Sequence, residues 1–383
     1  MESTSLRVLF VGHTYLTSVA QRKLDALAGK GIEVGLLAPE TWKPVDGLFV
    51  GQTLELRRAF RSFEVFTANV WRSGHIASYL FPLRAVIKAI MAFQPDIVQI
   101  EQEVYSLTTV EVLLISKLLR KKVVVFGWEN LDRPLHIIQR VARKVNLRLA
   151  DAIICGNRDG AELVHQWGYR GLVKVMPQLG IDPSVFFPRP RRARKSLVVG
   201  YIGRMVPEKG GDLLMRAFKV LLDKGLPVEL LFVGSGPKRR EWQAFAEELG
   251  IFEHVAWEES VPNERVAEVM GRVDVLVLPS RSSSAWKEQF GLVLAQAMAM
   301  GVPVVGSSCG AIPEVIGRED VIFPEGNSSA LADILEGLVS SSKLRGDLST
   351  FGIDRAESRY SHDVIARQLA DLYESVLLRK GQR

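Results

Sequence analysis

The stretch from Pro279 to Met300, PSRSSSAWKEQFGLVLAQAMAM, decides how this chain is read. Pro279-Ser280 ends the apolar run VDVLVLP, whose length and lack of alternation mark a buried parallel strand. A Ser-rich loop follows and closes on Glu288-Gln289-Phe290-Gly291. An apolar, Ala- and Met-rich helix comes next, stopped by Gly301-Val302-Pro303. A strand that breaks into a loop and then a helix leaves backbone N–H groups unpaired at the mouth of a sheet. Those groups and the helix dipole favour a phosphate. A carboxylate at such a place, Glu288, makes sense facing an uncharged part of a ligand, such as sugar hydroxyls. The alternative is a carboxylate that only caps the helix.

The same alternation extends in both directions. Upstream, LVVGYIG from Leu197 is a strand, Arg204 to Gly211 a loop, and DLLMRAFKVLLDKG a helix. VELLFVG is a strand stopped by Gly234-Ser235-Gly236, and HVAWEE a short strand. Downstream come the strands VPVVGS and VIFP, the helix SSALADILEGLVSS and a final helix DVIARQLADLYESVLLRK. The first half follows the same plan. LRVLFVG, a helix ending at Gly29 and Gly31, and IEVGLLAP make a βαβ unit, which implies a parallel sheet. The strands DIVQIEQE, KKVVVFGWEN, AIICGN and KVMPQLGID continue it. Residues 41 to 75 are less periodic, with LELRRAF and FEVFTANVW as candidate strands. PSVFFPRPRRARKS, rich in Pro and basic residues, reads as an interdomain linker. The expected architecture is two doubly wound α/β domains in tandem.

Composition narrows the function. A length of 383 residues favours two domains, and 47% hydrophobic residues suffice for their cores. No apolar run of about 18 residues occurs, and the N-terminus lacks a signal-peptide pattern. Cys155 and Cys309, far apart and in apolar contexts, read as buried thiols of a cytosolic protein. A net charge of +6 suits nucleotide phosphates, an anionic membrane surface or nucleic acid. Nucleic acid is the weakest of these, because no aromatic-plus-basic recognition motif accompanies the charge. RPLHIIQRVARKVNLRLAD is a basic amphipathic stretch with Ile137, Ile138, Val141, Val145 and Leu149 on one side. The favoured reading docks that apolar side on the sheet, and a membrane-surface role is the alternative.

Candidate site residues cluster at strand ends. Arg204 and Lys209 share one loop with Gly203 and Gly210, and two cations beside a helix N-terminus can hold a diphosphate. The alternative is a solvated surface loop. Gly12 and His13 lie at the end of the first strand. His13 contacts an acceptor in one reading and has no role in the other. Glu129 and Asn130 lie at another strand end.

The order of motifs carries a resemblance. Gly203-Arg204 with Glu208-Lys209-Gly210, Val233-Gly234-Ser235-Gly236, Leu278-Pro279-Ser280, Glu288-Gln289-Phe290-Gly291, Gly301-Val302-Pro303 and Gly310-Ala311-Ile312-Pro313-Glu314 follow one another as in glycosyltransferase family 4. The chain resembles these retaining enzymes strongly over about 190 to 340, and MPQLGIDPSVFFP resembles their interdomain segment. The resemblance implies a GT-B fold, two Rossmann-like domains facing each other across a cleft. Residues 1–188 would form the acceptor-binding domain, 189–361 the nucleotide-sugar-binding domain, and helix 362–383 would cross back to the first. It also implies a hexosyltransferase with Arg204 and Lys209 on the donor diphosphate and Glu288 beside the donor sugar. Backbone N–H groups of Phe290, Gly291, Leu292 and Val293 would meet the phosphates. Gly203, Gly234, Pro279 and Ser280 would line the donor pocket, with Trp257 to Val261 near the base. Core packing is the other reading of Phe290.

Two departures stand out. Gln296 occupies the place of the family's ribose-binding glutamate, and Trp128-Glu129-Asn130 replaces a segment that often holds a histidine. With no D-x-D motif, a metal-independent reaction with no cofactor beyond the donor substrate is expected. The acceptor, whether glycan, lipid-linked or small molecule, stays open, as does oligomeric state. The expected location is cytoplasmic, with peripheral contact at the inner membrane face as a variant. A non-catalytic nucleotide-sugar binder and another GT-B enzyme, such as a nucleotide-sugar epimerase, are the rival readings.

Overall fold

The computed structural model describes residues 5–45, 52–190 and 194–379. The chain divides into two compact units, Met1–Gly180 with His362–Arg383, and Ile181–Ser361. Residues 191–193 of the expected linker, and the residues after 379 in the expected last helix, lie outside the described residues.

In the first unit, β1 (Arg7–Val11), α1 (Ser18–Ala28) and β2 (Glu33–Pro39) form the opening βαβ. The less periodic region holds a two-residue antiparallel pair, β3 (Thr41–Trp42) with β4 (Leu54–Glu55), and then β5 (Glu64–Ala68). Only two residues of LELRRAF are therefore strand. The alternation resumes with α2 (Leu83–Phe93), β6 (Ile97–Glu101), α3 (Leu107–Leu118), β7 (Lys122–Gly127) and α4 (Ile137–Leu149). It ends with β8 (Ala152–Cys155), α5 (Arg158–Gln166) and β9 (Leu172–Val175). The last strand begins earlier than KVMPQLGID suggested and stops before Met176 and Pro177; a proline cannot donate to the ladder. Seven parallel strands run in the order β5-β2-β1-β6-β7-β8-β9. Residues alternate between two cores: Leu9, Val98 and Val125 face one, and Val8, Phe10 and Val124 the other. This two-sided burial explains the unbroken apolar runs.

The second unit begins with β10 (Leu197–Ile202), α6 (Gly211–Asp223), β11 (Val228–Val233) and α7 (Arg239–Glu248). β12 (Val255–Glu258), α8 (Asn263–Met270), β13 (Val275–Leu278) and α9 (Leu292–Ala299) follow. β14 (Val304–Ser307), α10 (Ile312–Ile316), β15 (Ile322–Phe323), α11 (Ser328–Ser340) and α12 (Ser342–Tyr360) complete it. Its parallel sheet has the order β12-β11-β10-β13-β14-β15. The last helix, α13 (His362–Leu378), belongs to the first unit. Its Ile365, Leu369 and Tyr373 share a core with α1 residues Leu24 and Leu27.

Each sheet reverses its strand order at one place: between β1 and β6 in the first unit, and between β10 and β13 in the second. The loops leaving the carboxyl ends of those strands diverge and open a crevice, the usual ligand position in such sheets. In the second unit these loops are Gly203 to Gly210 and Pro279 to Gly291. In the first they begin at Gly12-His13 and Gln102-Glu103.

α4 corrects the reading of the basic amphipathic stretch. Ile137, Ile138 and Val141 are exposed, whereas Ala142, Asn146 and Leu147 are buried. The small Ala142 permits close approach. Asn146 Nδ2 donates to the Val104 carbonyl at 2.9 Å and to the Ser106 carbonyl at 3.4 Å. The helix therefore docks through a polar anchor, and part of its apolar side points outward.

Candidate functional site

In the second unit, the loop after β10 and the loop after β13 meet. Gly210 takes φ 63° and starts α6, and a Cβ there would lie 2.0 Å from the Pro279 carbonyl oxygen. Only a glycine lets the two loops cross so closely. Lys209 then reaches Glu288, Nζ to Oε2 2.5 Å. The Glu288 residue is 6% exposed, and the Lys209 side chain 15%. Ser280 Oγ donates to the same carboxylate oxygen at 3.0 Å, and the Lys209 ammonium lies 4.8 Å from the Trp286 ring centre. The Ala311 N–H donates to the Glu288 carbonyl at 2.9 Å, which fixes the residue's backbone. A half-buried lysine, a buried carboxylate and a buried hydroxyl thus converge at the switch point of the sheet.

Arg204 is exposed on the same β10 loop, and Tyr201 Oη donates to its backbone carbonyl at 2.5 Å. The Tyr201 hydroxyl is pushed well up, first by burial and then by the Glu288 charge, while Arg204 opposes the shift. Both side chains therefore act on one buried hydroxyl. Gly203 donates to the Val233 carbonyl at 3.0 Å, and Met205 to Ser235 at 2.8 Å, which ties this loop to the Gly234-Ser235-Gly236 turn. At Gly234 (φ 149°) a Cβ would sit 1.9 Å from the Gly203 carbonyl oxygen. Arg239 completes the tie, donating to the carbonyls of Gly234 and Glu258, each at 2.9 Å.

Gly291 (φ 77°) turns the chain into α9, placing Leu292 and Val293 in its first turn. The amides there point along the helix axis away from any i−4 carbonyl, so they can meet an anion. Phe290 is buried and packs edge-on against Tyr360, with ring centres 5.4 Å apart, so it serves at least as core packing. Gln296 is buried farther along α9, and its Nε2 donates to Asn263 Oδ1 at 3.1 Å. Asn263, at the start of α8, is a neighbour that sequence reading missed. Trp257 stacks on Phe232 with ring centres 4.8 Å apart. Its indole N–H is buried without a hydrogen-bond partner among the described residues.

The first-unit candidates gather at the other switch point. Gly12 lies against Glu101, and His13 stacks on Trp42 with ring centres 4.6 Å apart. Gln102 Nε2 lies 2.6 Å from His13 Nδ1, and burial pushes the imidazole down to about 4, so it is neutral at pH 7. Glu129 Oε2 accepts from Tyr105 Oη at 3.0 Å and from Arg133. Asn130 is buried beside it. Sequence reading missed Glu103. Its carboxylate accepts the Trp128 and Glu129 N–H groups at 2.8 and 3.2 Å, and burial pushes it up to about 7. Behind these lies a buried network. Lys23 Nζ pairs with Glu101 Oε1 at 2.8 Å, Gln178 donates to Glu101 Oε2 at 2.7 Å, and Tyr373 of α13 donates to Gln99 at 2.5 Å. Burial lowers the Lys23 ammonium, and Glu101 opposes that shift. No short motif marks these residues, because their chemistry comes from partners far away in sequence.

Comparison with known proteins gives this geometry a context. Residues 185–355, somewhat under half of the chain, match the family model described as glycosyl transferases group 1. The chain is 30% identical over 217 residues to a D-inositol 3-phosphate glycosyltransferase of Corynebacterium urealyticum, covering 51% of this chain and 50% of that one. It is also 30% identical over 233 residues to a phosphatidyl-myo-inositol mannosyltransferase of Mycobacterium leprae, covering 58% and 60%. The chain thus spans 50% to 60% of the length of these curated relatives. Anabaena HepE, solved in complex with UDP, superposes with a TM-score of 0.70 at 20% identity, over 97% of this chain and 100% of that one. At that identity the likeness concerns the fold. The chain accordingly has the GT-B fold, and its residues 185–355 carry the pattern of the group 1 glycosyl transferases.

Proposed function

We propose that this chain is a retaining glycosyltransferase of family 4 that moves a hexose from a nucleotide diphosphate sugar to an acceptor hydroxyl in polysaccharide or glycoconjugate synthesis. The observation that carries the reading is the convergence of Lys209, Glu288 and Ser280 beside the start of α9. In this reading Lys209 and Arg204 hold the donor diphosphate. Phe290, Gly291, Leu292 and Val293 offer it backbone N–H groups. Glu288 accepts from hydroxyls of the transferred sugar, and its bond to Lys209 keeps both groups oriented before donor arrives. Gln296, held through Nε2 by Asn263, turns its carbonyl oxygen toward the ribose. Gly203, Gly234, Pro279 and Ser280 shape the walls, and Trp257 supports the base. Gly12, His13, Glu129 and Asn130 serve the acceptor or the donor-sugar side.

The chemistry follows from the charges. The bond between the anomeric carbon and the phosphate oxygen breaks, and its electron pair leaves with the nucleoside diphosphate. The acceptor oxygen bonds to the same face of that carbon, and its proton passes to the departing phosphate. Negative charge grows on the phosphate in the transition state, where two fixed cations and aligned amides stabilise it most. Those groups supply the charge a metal would otherwise bring, so the reaction runs without a metal or a further cofactor. The test is a transfer assay with UDP-, GDP- and ADP-sugars against glycan, lipid-linked and small-molecule acceptors. The anomeric configuration of the product is read by NMR. Product with the donor's configuration supports the reading. Inverted product, or a nucleotide sugar bound but never turned over, contradicts it.

A further inference from the structure

We infer that the outer face of α2, α3 and α4 is a docking surface for an anionic lipid membrane. Globular proteins cover most of their large apolar side chains, and a contiguous exposed group of them marks a contact surface. On α4, Ile137, Ile138 and Val141 are 54–56% exposed, and on α3 Leu118 is 83% exposed. α2 presents Leu83, Ile87 and Met91 outward, four residues apart and so on one stripe. All three helices lie over the same core of the first unit. α3 packs against both α2 and α4, so the stripes are neighbours. Between α3 and α4 runs an apolar groove of about 280 Å³, bordered by Leu107, Val110 and the exposed side of α4.

Charge selects the partner. Residues 83–93, 107–118 and 137–149 contain seven Lys or Arg against one acid, Glu111; two of the seven, Lys117 and Arg143, pair with Asp151 and Asp132 just outside these helices. The Glu111 carboxylate accepts the Phe81 N–H and is pushed up to about 7 by burial, so it carries only part of its charge near pH 7. Arg84 and Lys88 flank the α2 stripe, and Arg140, Lys144 and Arg148 flank the α4 stripe, all exposed. Apolar side chains ringed by these five exposed cations, with a single acid on the helices themselves, fit a surface that is apolar inside and anionic at its edge. A lipid leaflet has that profile. No described helix is long and apolar enough to cross a membrane, so the contact lies in the interface plane. This surface belongs to the first unit alone, and the inference is independent of the donor site.

The test is flotation of the full chain with vesicles of phosphatidylcholine alone and with about 30% phosphatidylglycerol added. The chain is expected to float with the anionic vesicles and not with the neutral ones. Raising salt from about 0.1 M to about 1 M, which shortens the screening length from about 10 Å to about 3 Å, releases it. The pair Arg140→Gln with Lys144→Gln weakens binding by roughly fivefold per residue. The pair Ile137→Glu with Val141→Glu abolishes it. Both variants keep the wild-type melting temperature, because the replaced side chains are exposed. Failure to float with anionic vesicles overturns the inference, as does equal binding by all variants. Concentration-dependent dimerisation that Ile137→Glu with Val141→Glu removes also overturns it, because a second copy would then cover the face.

Discussion

Replacing Lys209 with alanine separates what its ion pair does for stability from what it does for turnover. Its Nζ lies 2.5 Å from Glu288, a residue only 6% exposed, so the substitution leaves a buried carboxylate without its nearest cation. Breaking a buried pair costs about 3–5 kcal/mol when nothing compensates. Ser280 Oγ still donates to Glu288, and the Lys209 side chain keeps 15% exposure through which water enters. The expected loss is therefore smaller, about 1–3 kcal/mol. In the proposed reaction, the loss in turnover has a different origin, the missing cation at the departing phosphate. Losing one such donor slows an enzyme by about 10²–10³-fold, or about 2.7–4 kcal/mol. The double variant Lys209→Met with Glu288→Gln removes both charges and is expected to recover most of the stability, but none of the turnover. Urea unfolding midpoints and nucleoside diphosphate release at saturating donor read the two effects. Turnover in Lys209→Ala within about threefold of wild type would refute the reasoning, as would recovery of turnover in the double variant.

Three further outcomes are expected. Gly234→Ala places a Cβ 1.9 Å from the Gly203 carbonyl oxygen at φ 149°, so it destabilises the fold by about 2–4 kcal/mol; a melting temperature equal to wild type contradicts that. Lys23→Met strands Glu101 in the core, partly relieved by Gln99 and Gln178, at a cost of about 2–4 kcal/mol. Denaturant titration checks it, and a stability gain would reverse the argument. Glu103 is pushed up to about 7, so the folded state holds a proton that the unfolded state releases near pH 4.5. Its contribution is thus intact at low pH and lost as pH rises from about 4.5 to 7, by up to about 3 kcal/mol. Stability-against-pH curves of wild type and Glu103→Gln should diverge over that window, and parallel curves would remove the assignment.

The strand ends and their loops were legible in the sequence because buried parallel strands read as apolar runs and the turns after them carry glycines at fixed places. That pattern led to Gly203, Lys209, Glu288 and Gly291, and the structure brings Lys209 and Glu288 into contact. α12 escaped notice because Gly346, Gly352 and a weak apolar stripe argue against a helix. Packing overrides that propensity: a Cβ at Gly352 would lie 3.2–3.3 Å from Met298, so the glycine lets α12 settle onto α9. The α4 stripe was read inward because periodicity reports a face and not what covers it. Asn146, which anchors the helix, is a single polar residue with no periodic signal. Glu103 was illegible because its environment comes from the backbone of Trp128 and Glu129, on a different strand end.

The central claim is that the second unit grips an activated sugar by its diphosphate, and a melting-temperature screen of the full chain against UDP-, GDP- and ADP-sugars tests it most directly. A donor at about 100 times its dissociation constant adds about 2.7 kcal/mol to the native state, a rise of roughly 5 °C or more. The expected result is such a rise with one nucleoside class, lost in Arg204→Ala and Lys209→Ala. No rise with any nucleotide sugar, or the same rise in both variants, would contradict it.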